Sequence, residues 1–175
     1  MRLLTSLLIS VLYISALVNA VQAEETALRL HDLRNNQVNT PTMVSSGLPD
    51  RAHFEELKSN GVVNVIDLIP GDRSEESKLM GALGLQYRNI KVLWENPTIE
   101  NFDDYAAAIQ RFESEGGVTL THCQLNWRGA VFTYLYRVIH LHEAENIAKQ
   151  DLDAIWQPND VWLNFIEDVK TKNLQ

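Results

Sequence analysis

"VTLTHCQLNWRGAVFTYLYRVI", Val118 to Ile139, decides the fold of this chain. Val118 to His122 alternates and is rich in β-branched residues, which reads as a strand. From Arg128 onward, Ala130, Val131, Phe132, Tyr134, Leu135, Tyr136, Val138, Ile139 and Leu141 leave almost no polar face. A helix that is apolar all round belongs in the middle of a core. Only a short loop, carrying Cys123, fits between the two. The N–H groups of such a loop have no strand or helix partners, and if they curl inward they make an anion-binding nest. The start of the following helix adds positive potential. Both effects favour thiolate over thiol, so Cys123 is expected to be nucleophilic near neutral pH. Arg128 offers a planar fork of donors to two oxygens of a phosphate-like group. Asn126 tolerates the left-handed backbone of a tight loop, and His122 is placed to orient the cysteine backbone or hold the loop. The plainer alternative is a packing thiol, since burial is the commoner fate of a free cysteine.

Working outward, Met43 to Ser46 reads as a short strand closed by Gly47-Leu48-Pro49. Asp50 can cap a helix that runs through Ser59, buries Phe54 and Leu57 and stops at Asn60-Gly61. "VVNVIDLI", Val62 to Ile69, is apolar almost throughout and suits a central strand covered on both faces. A helix is expected over Asp72 to Leu83, with Asp72 and Glu75 as a capping pair. Gln86 to Leu93 follows as another strand. Pro97 suits the first turn of a helix whose Ile99, Phe102, Ala106, Ile109 and Phe112 form one apolar face, broken at Gly116-Gly117. Amphipathic helices over Ala144 to Trp156 and Asp160 to Thr171 end the chain, with Trp156 and Trp162 as core anchors. Alternating strands and helices predict an α/β domain with a mainly parallel central sheet flanked by helices. Sites on such sheets form beyond the carboxyl ends of strands, where Cys123 lies.

The first 23 residues stand apart: Arg2, an apolar run over Leu7 to Val18, then Val21-Gln22-Ala23 as a small-residue cleavage pattern. That is the form of a secretory signal peptide, with cleavage near Ala23 or alternatively after Ala20. The division expected is 1–23 signal, 24–40 a polar, loosely ordered leader, and 41–175 the domain. The mature protein is then secreted or periplasmic, with no membrane attachment after cleavage. Loss of Arg2 takes the net charge from −8 to −9. An acidic chain has no electrostatic reason to seek nucleic acid or anionic lipid. One cysteine makes no internal disulfide.

"HCQLNWR", with "SSGLPDRAHFEELKSNGVVNVIDL" upstream, resembles the protein tyrosine phosphatase superfamily, most closely its small bacterial dual-specificity-phosphatase-like group. The resemblance spans roughly Met43 to Leu141. It implies a cysteine-phosphatase-like fold and a hydrolase acting through a phosphocysteine, on a phosphotyrosine or dual-specificity type of substrate. Carried over by motif position, Cys123 is the nucleophile, Arg128 holds the phosphoryl oxygens and His122 supports the loop; no metal or organic cofactor is needed. His122, Gln124, Leu125, Asn126, Trp127 and Gly129 are the expected substrate-binding surround. Three features depart from the family pattern. Four residues rather than five separate Cys123 from Arg128, Asn126 stands near the usual glycine, and Gly129 replaces the usual serine or threonine. The shorter loop is also like that of rhodanese-like sulfurtransferases, in which Cys123 would carry a persulfide. A third reading is a catalytically degenerate module that binds an anion or a partner.

A leaving-group acid is expected from a loop near the cysteine, its carboxyl kept protonated by burial. In the family it follows the strand before the long helix, here "LWENPTIENFDD", and Glu95 is the best placed. Asp103 and Asp104 read as exposed helix charges, Asp67 and Asp72 as structural acceptors. Trp127 is expected to wedge the loop against the core or to face substrate. His140 and His142 are two apart, so a helix points them to different faces and no metal site is expected there.

Overall fold

The computed structural model describes residues 32–174. The expected signal peptide and residues 24–31 of the expected leader lie outside that range. Five strands form one sheet: β1 (Gln37–Thr40), β2 (Met43–Ser46), β3 (Val62–Asp67), β4 (Gln86–Asn89) and β5 (Val118–His122), in the order β1-β2-β5-β3-β4. β5 is central and parallel to β2 and β3, β3 is parallel to β4, and only β1 runs antiparallel, against β2. Among the described residues six helices accompany them: α1 (Arg51–Ser59), α2 (Ser74–Leu83), α3 (Ile99–Glu115), α4 (Trp127–Ile139), α5 (Glu145–Ile155) and α6 (Asp160–Asn173). The expected mainly parallel α/β sheet is the observed one.

Side-chain alternation on the strands divides the core into two layers. Val44, Val65 and Leu120 meet Phe54 and Leu57 of α1 and Met80 of α2. On the other face Met43 and Ile66 join α3 to α6, with α4 innermost. Every residue of α4 from Gly129 to Ile139 is buried, as its lack of a polar face requires. That helix carries one charge into the core. Arg137 forks onto Glu143, at 2.7 and 2.8 Å, and also pairs with Asp151. Pairing of this kind is what makes a buried guanidinium tolerable. At the other end of the sheet, the β3 register slips between Val62 and Asn64. A Cβ on Gly117 would lie 2.1 Å from Val63 Cγ2 there, and Gly117 has φ +86°. Only glycine meets both conditions.

Several expectations need correction. The leader was expected to be loose through Thr40, but Gln37–Thr40 is an edge strand. Its backbone finds partners on β2, and Gln37 Nε2 donates to Asp151 O at 3.0 Å. α2 starts at Ser74, not Asp72; Asp72 instead accepts from the Ser74 N–H at 2.9 Å, and no side chain caps the helix. β4 ends at Asn89 and β3 at Asp67, because both chains turn away where the site begins. α3 is capped by a reciprocal Thr98–Asn101 pair one residue past Pro97. At α1 the reciprocal partner of Asp50 in the capping box is His53.

Candidate active site

β5 delivers Cys123 to the carboxyl edge of the sheet, and the neighbouring strands fix it there. Cys123 N donates to Ser46 O at 3.2 Å and Leu68 N donates to His122 O at 2.9 Å. The loop carbonyls are then drawn towards the scaffold. Gln124 O accepts from Leu48 N at 3.3 Å, and Leu125 O accepts from Asn35 Nδ2 at 2.8 Å. The backbone N–H groups of Gln124, Trp127 and Arg128 have no partner among the described residues. Carbonyls tied back, donors left over and a helix N-terminus behind them make a cradle for an anion.

Asn126 shapes the turn. It has φ +64° and is wholly buried. Its Nδ2 donates to Asn35 O at 2.7 Å and to Ser45 Oγ at 3.0 Å. The side chain therefore points into the scaffold, away from any ligand, and the expectation that Asn126 binds substrate is corrected. The same geometry accounts for Gly129. A Cβ at that position would lie 2.3 Å from Asn126 Oδ1, so the usual serine or threonine has no room. Gly129 is likewise buried scaffold and not a substrate contact. Two of the three departures in the loop are thus one device: an asparagine that turns the chain and a glycine that accommodates it.

Beside the loop lies a pocket of about 400 Å³. Cys123, Gln124, Leu125, Trp127 and Arg128 form its floor and one side, and Ile69, Pro70 and Trp94 close the other. Arg128 is held sideways: its Nε donates to Val92 O at 3.0 Å and its guanidinium lies 5.4 Å from the centre of the Trp94 ring. Nη1 and Nη2 have no carboxylate partner among the described residues and remain for a ligand. Trp127 wedges the loop against its neighbours and also lines the pocket. Its indole lines the pocket, stacks on Trp156 with centroids 5.2 Å apart, and its carbonyl accepts from Trp156 Nε1 at 2.9 Å. Trp162 is a fully buried anchor below that stack, while Trp156 is half-buried beside it.

His122 faces the opposite layer. It pairs across the sheet with Asp67 and packs edge-on against Phe54, with ring centroids 5.8 Å apart. Its Nε2 lies 2.9 Å from Glu76 Oε1 and its Nδ1 lies 4.0 Å from Asp67 Oδ1. It belongs to a buried network behind the loop rather than to the pocket wall, which corrects the expectation that it is part of the substrate-binding surround. In that network Asp67 accepts from Ile69 N at 2.8 Å, Arg73 Nε at 2.6 Å and the Tyr87 hydroxyl at 2.8 Å. Arg73 also pairs with Glu76. Burial, reinforced by the Asp67 charge, pushes Tyr87 far above the usual phenol range and fixes it as a donor. Burial opposes the Arg73 charge, but Asp67 and Glu76 outweigh it, and the guanidinium is held even more firmly protonated. Asp67, Glu76 and His122 are the one potential metal-ligand cluster among the described residues. The two carboxylates meet opposite nitrogens of the ring, and Arg73 already supplies the cation between them. Ion pairs from Arg73 to both carboxylates tie the cluster together.

Glu95 is not brought to the site. It is exposed, just beyond Trp94, and Trp94 alone of that loop enters the pocket. Asp103 and Asp104 are exposed on α3, and Asp103 pairs with Lys172 at 2.7 Å. Sequence reasoning missed Ile69, Pro70 and Trp94 as walls. The signal was present: Ile69 and Pro70 follow β3, the neighbour of β5, and Trp94 follows β4, the next strand out, so all three lie beyond the carboxyl ends of parallel strands.

No protein-family model matches the sequence, and no curated protein matches it. Solved structures do. A DUF442 protein from Shewanella putrefaciens CN-32 is 31% identical, with a TM-score of 0.72 over 82% of this chain and 96% of its own. TpbA of P. aeruginosa is 19% identical, with a TM-score of 0.66 over 81% of this chain and 89% of its own. The core catalytic domain of the S. cerevisiae PP-IP phosphatase SIW14 is 14% identical, with a TM-score of 0.67 over 83% of this chain and 96% of its own. The last two show a shared fold; the first, with the strand–cysteine loop–helix geometry, shows more. The chain belongs to the DUF442 group of the protein tyrosine phosphatase superfamily.

Proposed function

We propose that this chain is a secreted or periplasmic cysteine-dependent phosphatase acting on a phosphate monoester. The observation that carries the reading is the shared pocket of Cys123 and Arg128, under the N-terminus of α4 and rimmed by unpartnered loop N–H groups. The Cys123 sulfur attacks phosphorus, forming an S–P bond as the P–O bond to the leaving group breaks. Arg128 and the loop amides stabilise the charge that spreads over the phosphoryl oxygens. Water then displaces the sulfur and releases phosphate. Support for the substrate class comes from a cysteine-to-serine form of P. aeruginosa TpbA, whose structure is a complex with phosphotyrosine, and from citrate, another anion, in SIW14. Support for export is the N-terminal apolar run that ends at Val21-Gln22-Ala23.

One observation favours a second reading. With four residues between Cys123 and Arg128, the loop is the length used by sulfurtransferases. The two are separated by offering the mature protein p-nitrophenyl phosphate in one assay and thiosulfate with cyanide in another. Phosphate release is expected. Thiocyanate without phosphate would replace the phosphatase by a persulfide carrier. Neither product, with phosphate still bound, would leave an anion-binding module.

A further inference from the structure

The pocket wall contains a nucleophile and a cation but no proton donor for a departing oxygen. Ile69, Pro70, Trp94, Leu125 and Trp127 make it predominantly apolar, and Gln124 is its one neutral polar side chain. No carboxylate lines it among the described residues. Glu95 is exposed outside it. The carboxylates nearest in sequence to its walls are committed elsewhere. Asp67 is consumed by Ile69 N, Arg73 and Tyr87, and Asp72 turns back on Ser74 N. Glu76 lies on the far side of the sheet with His122 and Arg73.

From this we infer that the enzyme acts on phosphoryl compounds whose leaving group is itself an acid. These are aryl phosphates of acidic phenols and acyl phosphates, with a flat apolar body that lies against Trp94 and Trp127. The inference rests on the phosphatase reading above and narrows its substrate class. A protein that supplies no proton needs a leaving group that departs as a stable anion. The Cys123 sulfur lone pair forms the S–P bond. The P–O bond breaks, and its electron pair leaves on oxygen as an acidic phenolate or a carboxylate, which takes a proton later from water if at all. Water then adds to phosphorus, the S–P bond breaks, the thiolate is restored and the surplus proton goes to solvent. Atoms and electrons balance with no co-reactant beyond water. The apolar walls favour this chemistry a second way. They add hydrophobic contact to an aromatic body, whereas a serine or threonine phosphate offers them little and leaves a poor alkoxide.

General acids contribute roughly 10²–10⁴-fold to such reactions. Without one, that factor reappears as sensitivity to the leaving group. The test is kcat/KM across aryl phosphates of similar size, from p-nitrophenyl to unsubstituted phenyl phosphate, with benzoyl phosphate as the acyl member. A drop of at least about 100-fold from the most to the least acidic phenol is expected, with Glu95→Gln leaving each value unchanged. A flat profile, with turnover that depends on Cys123, would overturn this inference alone. So would a selective loss of phenyl phosphate hydrolysis in Glu95→Gln, because it would identify the missing acid. If no member is hydrolysed faster than by the Cys123→Ser protein, the phosphatase reading itself fails and the inference falls with it.

Discussion

Cys123→Ser is expected to lower turnover of p-nitrophenyl phosphate by at least about 10⁴-fold, while folding and phosphate binding survive. The two side chains differ by one atom, and the site is packed closely enough that the serine hydroxyl fits where the thiol lies; Cys123 is 1% exposed. What changes is the chemistry. Sulfur is a far better nucleophile towards phosphorus here than a serine hydroxyl left without a base to activate it. The cradle itself, made of loop amides and Arg128, is untouched. Phosphate should therefore bind the variant about as well as the parent, measured by calorimetry, even as the steady-state rate vanishes. Loss of both together would mean that Cys123 holds the loop in place rather than attacking.

The second large effect concerns a residue that touches no substrate. Gly129→Ala is expected to destabilise the protein by about 2–3 kcal/mol and to depress activity with it. The added methyl would sit 2.3 Å from Asn126 Oδ1. Asn126 cannot retreat without giving up its bonds to Asn35 O and Ser45 Oγ, the ties that fold the loop over Cys123. Urea unfolding of a double-mutant cycle checks this. Asn126→Gly keeps the positive φ and removes Oδ1, so adding Gly129→Ala to that background should cost less by about 1–2 kcal/mol. Strict additivity would show that the glycine is required for some other reason.

The sequence carries the strand, loop and helix around Cys123 because three separate signals agree there: alternation in Val118–His122, Cys123 where the pattern breaks, and the fully apolar α4. The mainly parallel sheet also follows, since strands and helices alternate along the chain. The leader was misread because Gln37–Thr40 looks polar. An edge strand with one exposed face is polar by design, and its partner β2 is separated from it only by a two-residue turn. The site was half legible. Cys123, Arg128, Gln124, Leu125 and Trp127 lie where the motif puts them. His122, Asn126 and Gly129 share the motif but face the scaffold: His122 turns to the other side of the sheet, and the turn at Asn126 is held by Asn35 and Ser45 and packed against Gly129. Glu95 was misplaced for a different reason: a loop's residue count fixes its reach, not which side chain turns inward, and here Trp94 takes that place. The Asp67–Arg73–Glu76–His122 network joins the neighbouring end of β3 and start of α2 to His122, far along the chain on β5. No local pattern announces such a convergence. Asp67 in the apolar run of β3 was its one visible trace.

The claim that Cys123 is a covalent catalyst is tested most directly by trapping its intermediate. Wild-type protein is mixed with excess p-nitrophenyl phosphate, quenched in acid within the first turnover, and read by intact and peptide mass spectrometry. A phosphoryl group on the peptide that contains Cys123, absent in Cys123→Ser, is the predicted result. Phosphate release at the full steady-state rate with Cys123 unmodified at every quench time, or undiminished by Cys123→Ser, would contradict the account.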